Sequence, residues 1–273
     1  MNEIVAFIFK NQWMVFLTTT VLLVSLAEAG FRSGFRLFVT RDEQRKSQIG
    51  TIQGAILGML ALLLGFTFSM AVGRYENRRD LVLQEANSIG TTFLRASLLP
   101  AEHKIQVENL LRRYVDTRLD FFAAGRDDSH VLKAESESAR LQRELWSHAV
   151  VATREVPTAI TATFITSLNE TIDLDESRLT AFRSRVPAAV WPLLLVVAGV
   201  GCYATGYGAG ASGARTVFSN LMLPLLLAFV VTIIADFDHP RHGLISISQQ
   251  PMLDLKSNLA VPAASPASGG VRP

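Results

Sequence analysis

From Thr51 to Gly73 the chain runs 23 residues without a charged side chain, and the next six, Arg74 to Arg79, carry four charges. At about 1.5 Å per residue the apolar part is about 34 Å long as a helix, enough for a hydrocarbon layer of about 30 Å. No turn former separates the two parts. The spacing therefore predicts one helix that crosses a bilayer and continues into water.

Three further runs are long and apolar, the first with Glu28 near its end as its one carboxylate. Trp13 to Ala29 is the first, too long for a signal-peptide core and read as a retained membrane helix. Pro187 opens another, through VWPLLLVVAGVGCYATGYG, in which Pro192 invites a kink about one turn in. Val217 to Ala235 is the last and carries Pro224. Between the first two runs, residues 31–49 form a basic connector, expected as a short lipid-surface helix or a solvated loop. A glycine-rich hinge, GYGAGASGAR, is expected between the last two.

The charge distribution supports this division. Residues 74–186 hold 16 of the 26 Lys and Arg and 17 of the 24 Asp and Glu, which marks a water-exposed block of nearly neutral balance. A nucleic-acid partner, which selects a basic face, is not expected. Within the block, Val107, Leu110, Leu111 and Tyr114 follow helical spacing, as do Ile160, Phe164, Leu168 and Ile172. Asp175 is expected to cap a last short helix, Glu176 to Arg185. No stretch alternates like a strand.

The fold class is therefore all-α: an integral membrane protein with four transmembrane helices and a helical domain between the second and third. The expected domains are 1–73, membrane helices one and two with the connector; 74–186, the helical extramembrane domain; 187–237, membrane helices three and four; and 238–273, a polar segment and a disordered tail. Four crossings put both termini and the middle domain on one side, which the flanking basic residues assign to the cytoplasm. The lone Cys202 lies in an apolar run and reads as a packing residue.

Several groups of residues are candidates for function. Gly50, Gly54, Gly58, Ala61, Gly65, Ser69 and Gly73 keep one stripe of the second helix free of bulk. Such a stripe suits close helix packing or lines a conduit. Beside it Leu62, Phe66 and Met70 form a bulky line, either a hydrophobic constriction or an ordinary lipid-facing surface. Arg74, Arg78 and Arg79, interleaved with Glu76 and Asp80, either hold lipid phosphates or concentrate anions at a pore mouth. Further out, Asn87, Ser88, Thr91 and Thr92 place polar groups on an apolar helix, for interhelical hydrogen bonds or an ion path. No metal site is expected. The weak candidates are Asp236, Asp238, His239 and His242, where helix termination accounts for the residues and hard carboxylates mix with softer imidazoles.

Two matches fail their context. Gly208, Gly210 and Gly213 spell a dinucleotide fingerprint, but no strand precedes them. Asn169 opens a glycosylation sequon, meaningful only after export in a glycosylating cell. No nucleophile stands at a committed spacing from a base, so neither enzyme activity nor a cofactor is expected.

The blocks GFTFSMAVGRYENRR, EANSIGTTFLRASLLP, LNETIDLDESR, VPAAVW and DFDHPRHGLISISQQPMLDL occur in order from Gly65 to Leu255, within a likeness that starts at Gly50. In them the chain resembles the bacterial bestrophin-like family of membrane proteins (the DUF4239 type), which is distantly similar to bestrophin channels. The resemblance implies a homo-oligomer, a pentamer in true bestrophins, whose second helix lines an ion pore. Leu62, Phe66 and Met70 would stand nearest to the bestrophin neck. The glycine stripe departs from that neck, and two acids after the fourth helix are too few for the acidic run of calcium-gated members. The implied partners are the lipid bilayer, further copies of the chain and inorganic ions. The expected function is an ion channel along the second helix, anions slightly favoured. The competing expectation is a non-conducting membrane scaffold or sensor whose helical domain binds a partner protein.

Overall fold

A computed structural model describes residues 12–37, 43–125, 127–213, 217–239 and 245–260. Among them are eight helices and no strand: α1 Gln12–Leu37, α2 Glu43–Ala96, α3 Ala101–Ala123, α4 Asp128–Glu155, α5 Ala159–Arg183, α6 Val190–Ser212, α7 Val217–Asp238 and α8 Gln250–Ala260. Helices α1, α2, α6 and α7 are each long and apolar enough to cross a membrane.

The chain divides into two compact units, one of residues 1–76 and 184–246, the other of 77–183 and 247–273. Helix α2 enters both. Its 54 residues are unbroken, as the absence of a turn former predicts. The strip RYENRR lies in mid-helix.

In the first unit, α1 packs most extensively against α6. The cause is four glycines. A methyl group built on Gly30 would lie 2.1 Å from the Tyr203 carbonyl oxygen, and one on Gly34 2.2 Å from that of Tyr207. From the other side, a methyl on Gly206 would lie 2.0 Å from the Ala27 oxygen and one on Gly210 2.2 Å from that of Phe31. Two backbones touch where only hydrogen fits between them. Gly30 and Gly34 advance in step with Tyr203 and Tyr207, so the two helices run parallel.

This packing corrects two expectations. The connector's first part, 31–37, belongs to α1, which continues to Leu37 because its last turns seat Phe31 and Gly34 on α6. An Arg32–Glu28 pair at 2.9 Å spans one turn of the same helix. The expected glycine-rich hinge is helical to Ser212, since Gly206 and Gly210 serve helix contact, and only Gly213 takes a left-handed conformation, φ 70°, at the helix end. Pro192 is the third residue of α6, where its missing N–H has no intrahelical acceptor to lose.

Leu57, Leu60, Leu63 and Leu64 of α2 meet Leu23, Ala27, Val197, Ala198, Cys202 and Leu227 in an apolar cluster. A second cluster gathers Ala71, Val186 and Ile234 with Met70 and Trp191.

In the second unit, Tyr114, Leu111, Leu141, Leu145, Phe164, Leu168 and Ile89 are fully buried. Helix α8 packs on α3, with Met252 in the interior and the Lys256 ammonium 2.7 Å from Asp116. The expected short helix from Glu176 does not exist: α5 runs unbroken to Arg183 and Asp175 sits inside it. The Asp175 carboxylate binds Arg118 and Gln142 rather than a free helix end.

Helix α4 does start at a capped turn. The Asp127 carboxylate accepts the backbone N–H groups of Ser129 and His130 at 2.9 and 3.3 Å, and the Ser129 hydroxyl at 2.5 Å. The Ser129 hydroxyl, and then the His130 amide, hold its carboxyl below the usual carboxylate value. A depressed folded value means that the cap stabilises above the unfolded carboxylate range and that this contribution is lost as pH falls through the folded value. Thermal melts across the acid range should show Asp127→Ala melting below wild type at neutral pH and converging with it in acid. A constant gap would remove the carboxylate's charge from the account.

Candidate functional site

The two faces of α2 differ along almost its whole length. At about 100° per residue, Leu62, Phe66, Ser69, Gly73, Glu76, Asp80, Gln84, Asn87 and Thr91 share a sector about 80° wide. Every one of them is exposed. On the opposite side Leu60, Thr67, Ala71, Arg78, Val82, Glu85, Ile89 and Thr92 are all buried. In the first unit the open sector is apolar and small, with Leu62 61% and Phe66 66% exposed. Gly50, Gly54, Gly58, Gly65 and Gly73 have nothing within 4 Å of a methyl built on them. Among the described residues of one chain, then, close backbone packing belongs to α1 and α6, and the glycines of the α2 stripe stand open. Met70 stands apart from Leu62 and Phe66, half-buried on the cluster of Ala71, Val186 and Ile234.

The charged strip is sorted by the same periodicity. Arg74 turns inward and donates to the Ser184 hydroxyl. Arg78 is 5% exposed, and its Nε–H donates to the Ala181 carbonyl at 3.1 Å. Arg79 is exposed but lies about 100° round the helix from Leu62. The charges left on the open sector are two carboxylates, Glu76 and Asp80.

The polar residues further along divide too. Ser88 and Thr92 are buried, and both hydroxyls reach the Thr171 hydroxyl, at 2.9 and 3.0 Å. Asn87 and Thr91 remain on the open sector.

Behind this face the second unit contains a buried ionic cluster. The Glu85 carboxylate, 0% exposed, accepts Arg118 Nε–H at 2.7 Å and Arg178 on its other oxygen. Arg118 also donates to Asp175 at 2.5 Å, and Arg178 to the Gln249 side-chain oxygen at 3.2 Å. Gln142 links Asp175 to the Tyr114 hydroxyl. Burial pushes the Tyr114 phenol well above its ordinary value, so it remains neutral. Two guanidiniums and two carboxylates balance, and helices α2, α3 and α5 and Gln249, the residue before α8, are tied at one point. Helical register singles out Glu85 in the sequence as an acid between Val82 and Ile89 on an apolar stripe, but nothing in register identifies its partners.

At the end of α7 the acids act on the backbone. Asp238 accepts the Val186 N–H at 2.8 Å and Asp236 the Ile245 N–H at 2.9 Å, while the His239 ring meets the Ala235 carbonyl at 2.8 Å. These contacts hold the chain at both ends of the membrane segment. His242 lies outside the described residues. Among those described, no three His, Cys, Asp or Glu side chains gather as metal ligands.

The family model for the bestrophin-like domain matches residues 19–252. The chain belongs to the bestrophin-like family. Its fold is that of bestrophin homologues. Two crystallised variants of a bacterial bestrophin homologue from Klebsiella pneumoniae superpose on this bestrophin-like protein with TM-scores of 0.65 and 0.66, at 15% and 16% identity. The superpositions cover 89% of this chain and 97% and 95% of theirs. A crystallised variant described as a membrane protein gives a TM-score of 0.67 at 14% identity, over 89% of this chain and 97% of its own. No curated protein sequence matches. At these identities the likeness is one of fold, and the function of this bestrophin-like chain rests on its own residues.

Proposed function

We propose that this protein is a homo-oligomeric ion channel, five-fold by its resemblance to bestrophins, in which each subunit turns the open sector of α2 toward a common axis. The observation that carries the reading is the one-sided exposure of α2: lipid would cover Leu62 and Phe66, but the same bare sector carries Glu76, Asp80, Asn87 and Thr91, which suit water rather than hydrocarbon. Leu62 and Phe66 would form an apolar constriction where water is easily excluded. Glu76 and Asp80 would stand just beyond it, with Asn87 and Thr91 offering polar groups to a hydrated ion further on. The anion preference expected from Arg74, Arg78 and Arg79 gives way here to cations, because Arg74 and Arg78 face into the protein and carboxylates occupy the sector. Rings of acidic side chains raise local cation concentration and repel anions. The protein resides in the cell's inner (plasma) membrane, with the helical domain and both termini in the cytoplasm.

Reconstitution in liposomes and planar bilayers tests this. The expected result is a current whose reversal potential in a KCl gradient follows potassium. Glu76→Gln with Asp80→Asn should move that potential several-fold in permeability ratio toward zero selectivity, and Phe66→Ala should raise conductance several-fold. Absence of sodium, potassium and chloride flux at all pH values would eliminate the pore. Chloride selectivity in wild type would eliminate the role of the two acids.

A second reading has its own support. Leu94, Leu132 and Ile105 on the second unit are 72%, 65% and 58% exposed, apolar side chains that a protein partner of a non-conducting scaffold or sensor would cover. Flux in protein-free-partner liposomes decides between the two readings.

A further inference from the structure

Where α3 begins and α4 ends, two imidazoles face each other. His103 is 8% exposed and His148 half-buried, and their Nδ1 atoms are 3.2 Å apart. On the far side of the first ring, His103 Nε2 is 3.2 Å from the Glu155 carboxylate. A carboxylate only accepts, so the proton of neutral His103 is assigned to Nε2. That leaves the Nδ1 lone pair of His103 aimed at Nδ1 of His148. The contact lies in the second unit, and the channel reading makes no use of it.

We propose that His103 and His148 bind a divalent transition ion, zinc or copper(II), between their Nδ1 atoms. With metal–nitrogen bonds of about 2.0–2.1 Å, two tetrahedral ligands stand about 3.3 Å apart, so the present separation accepts the ion with little movement of either ring. Imidazole pairs select zinc, copper and nickel over magnesium and calcium, which take oxygen ligands. Glu155 supplies the outer support typical of a ligating histidine: it accepts the remaining N–H and fixes the tautomer. The protein offers two inner ligands, and water completes the coordination beside the half-buried His148. Binding converts a hydrogen-bonded contact into a metal clasp between α3 and α4, and the proton that His148 Nδ1 gives to that contact moves to His148 Nε2.

The test uses the purified full-length chain in detergent, stripped with a chelator. Calorimetric titration with ZnCl2 should show one site per chain that His103→Ala and His148→Ala each abolish. His130→Ala, which removes an exposed imidazole in the Asp127 turn, should retain it. Glu155→Gln keeps both ligands and should weaken binding about 10- to 100-fold. Copper(II) bound to the wild-type chain should show an electron paramagnetic resonance spectrum split by two nitrogens, a readout that needs no variant to fold. A wild-type chain that binds no zinc would overturn the proposal and leave a hydrogen-bonded pair. Equal binding by wild type and both alanine variants, or a copper spectrum without two nitrogens, would place the ion elsewhere and overturn it equally.

Discussion

Gly206→Val should prevent the chain from accumulating as a folded membrane protein. A methyl at this position would stand 2.0 Å from the Ala27 carbonyl oxygen and 2.8 Å from its carbon, both backbone atoms of α1. No side-chain rotamer relieves such a contact. Either α1 and α6 separate, which also lifts Gly30, Gly34 and Gly210 off their carbonyls, or one helix bends. Overpacking a core ordinarily costs about 1–3 kcal/mol, and displacing two packed backbones belongs at or above the top of that range. The α2 stripe supplies the contrast. Gly58→Ala meets nothing within 4 Å and replaces a helix-interior glycine, a change worth about 1 kcal/mol in favour of the helix. Thermal melts and size-exclusion profiles should therefore show a collapsed Gly206→Val and a stable Gly58→Ala. If α2 packs against other subunits through the stripe, Gly58→Val should alter the subunit number in native mass spectrometry while each chain remains folded. A Gly206→Val chain that melts like wild type would contradict the α1–α6 geometry.

Glu85→Ala should cost the second unit about 3–5 kcal/mol, the range for removing one partner from a buried ion pair. The loss exceeds that of one hydrogen bond because Arg118 and Arg178, with side chains 3% and 8% exposed, both keep their charge in a place that water does not reach. Asp175 still pairs with Arg118, but Arg178 loses its bonded carboxylate and keeps a hydrogen bond to the neutral Gln249 oxygen. Removing a charge of each sign should do less harm than removing one: Glu85→Met with Arg178→Met restores the balance, and apolar replacements of whole buried pairs are often neutral. Circular dichroism melts of the single and double variants form the test. Strict additivity of the two single losses would mean that Glu85 and Arg178 do not interact.

The membrane helices and the unbroken course of α2 were legible from the sequence because they rest on local rules. A run of 23 uncharged residues has one stable state in a bilayer, and nothing in RYENRR stops a helix. The inward and outward assignment of α2 was latent in the same periodicity: Val82, Glu85 and Ile89 share a face, as do Leu62, Phe66 and Asp80. The uses of these residues were harder to read. Arg74 and Arg78 look like pore-mouth cations in a one-dimensional text, whereas in the fold they bond inward to Ser184 and Ala181, more than 100 positions away. Asp175 has the residue type of a helix cap, but Arg118 and Gln142 reward it more inside the helix than a free N-terminus would.

Length, hydropathy and period determined by themselves that this is a four-span, all-helical membrane protein with a helical block between the second and third spans, since each property is set by a segment and its solvent. The tertiary structure alone decided which glycines pack, which arginines are spent inside the protein, and which carboxylates remain on the bare face of α2. Those outcomes depend on atoms brought together from distant parts of the chain: Gly30 beside Tyr203, Glu85 between Arg118 and Arg178, His103 against His148. Close contact and charge balance are properties of pairs, and a sequence names the members of a pair without saying that they meet.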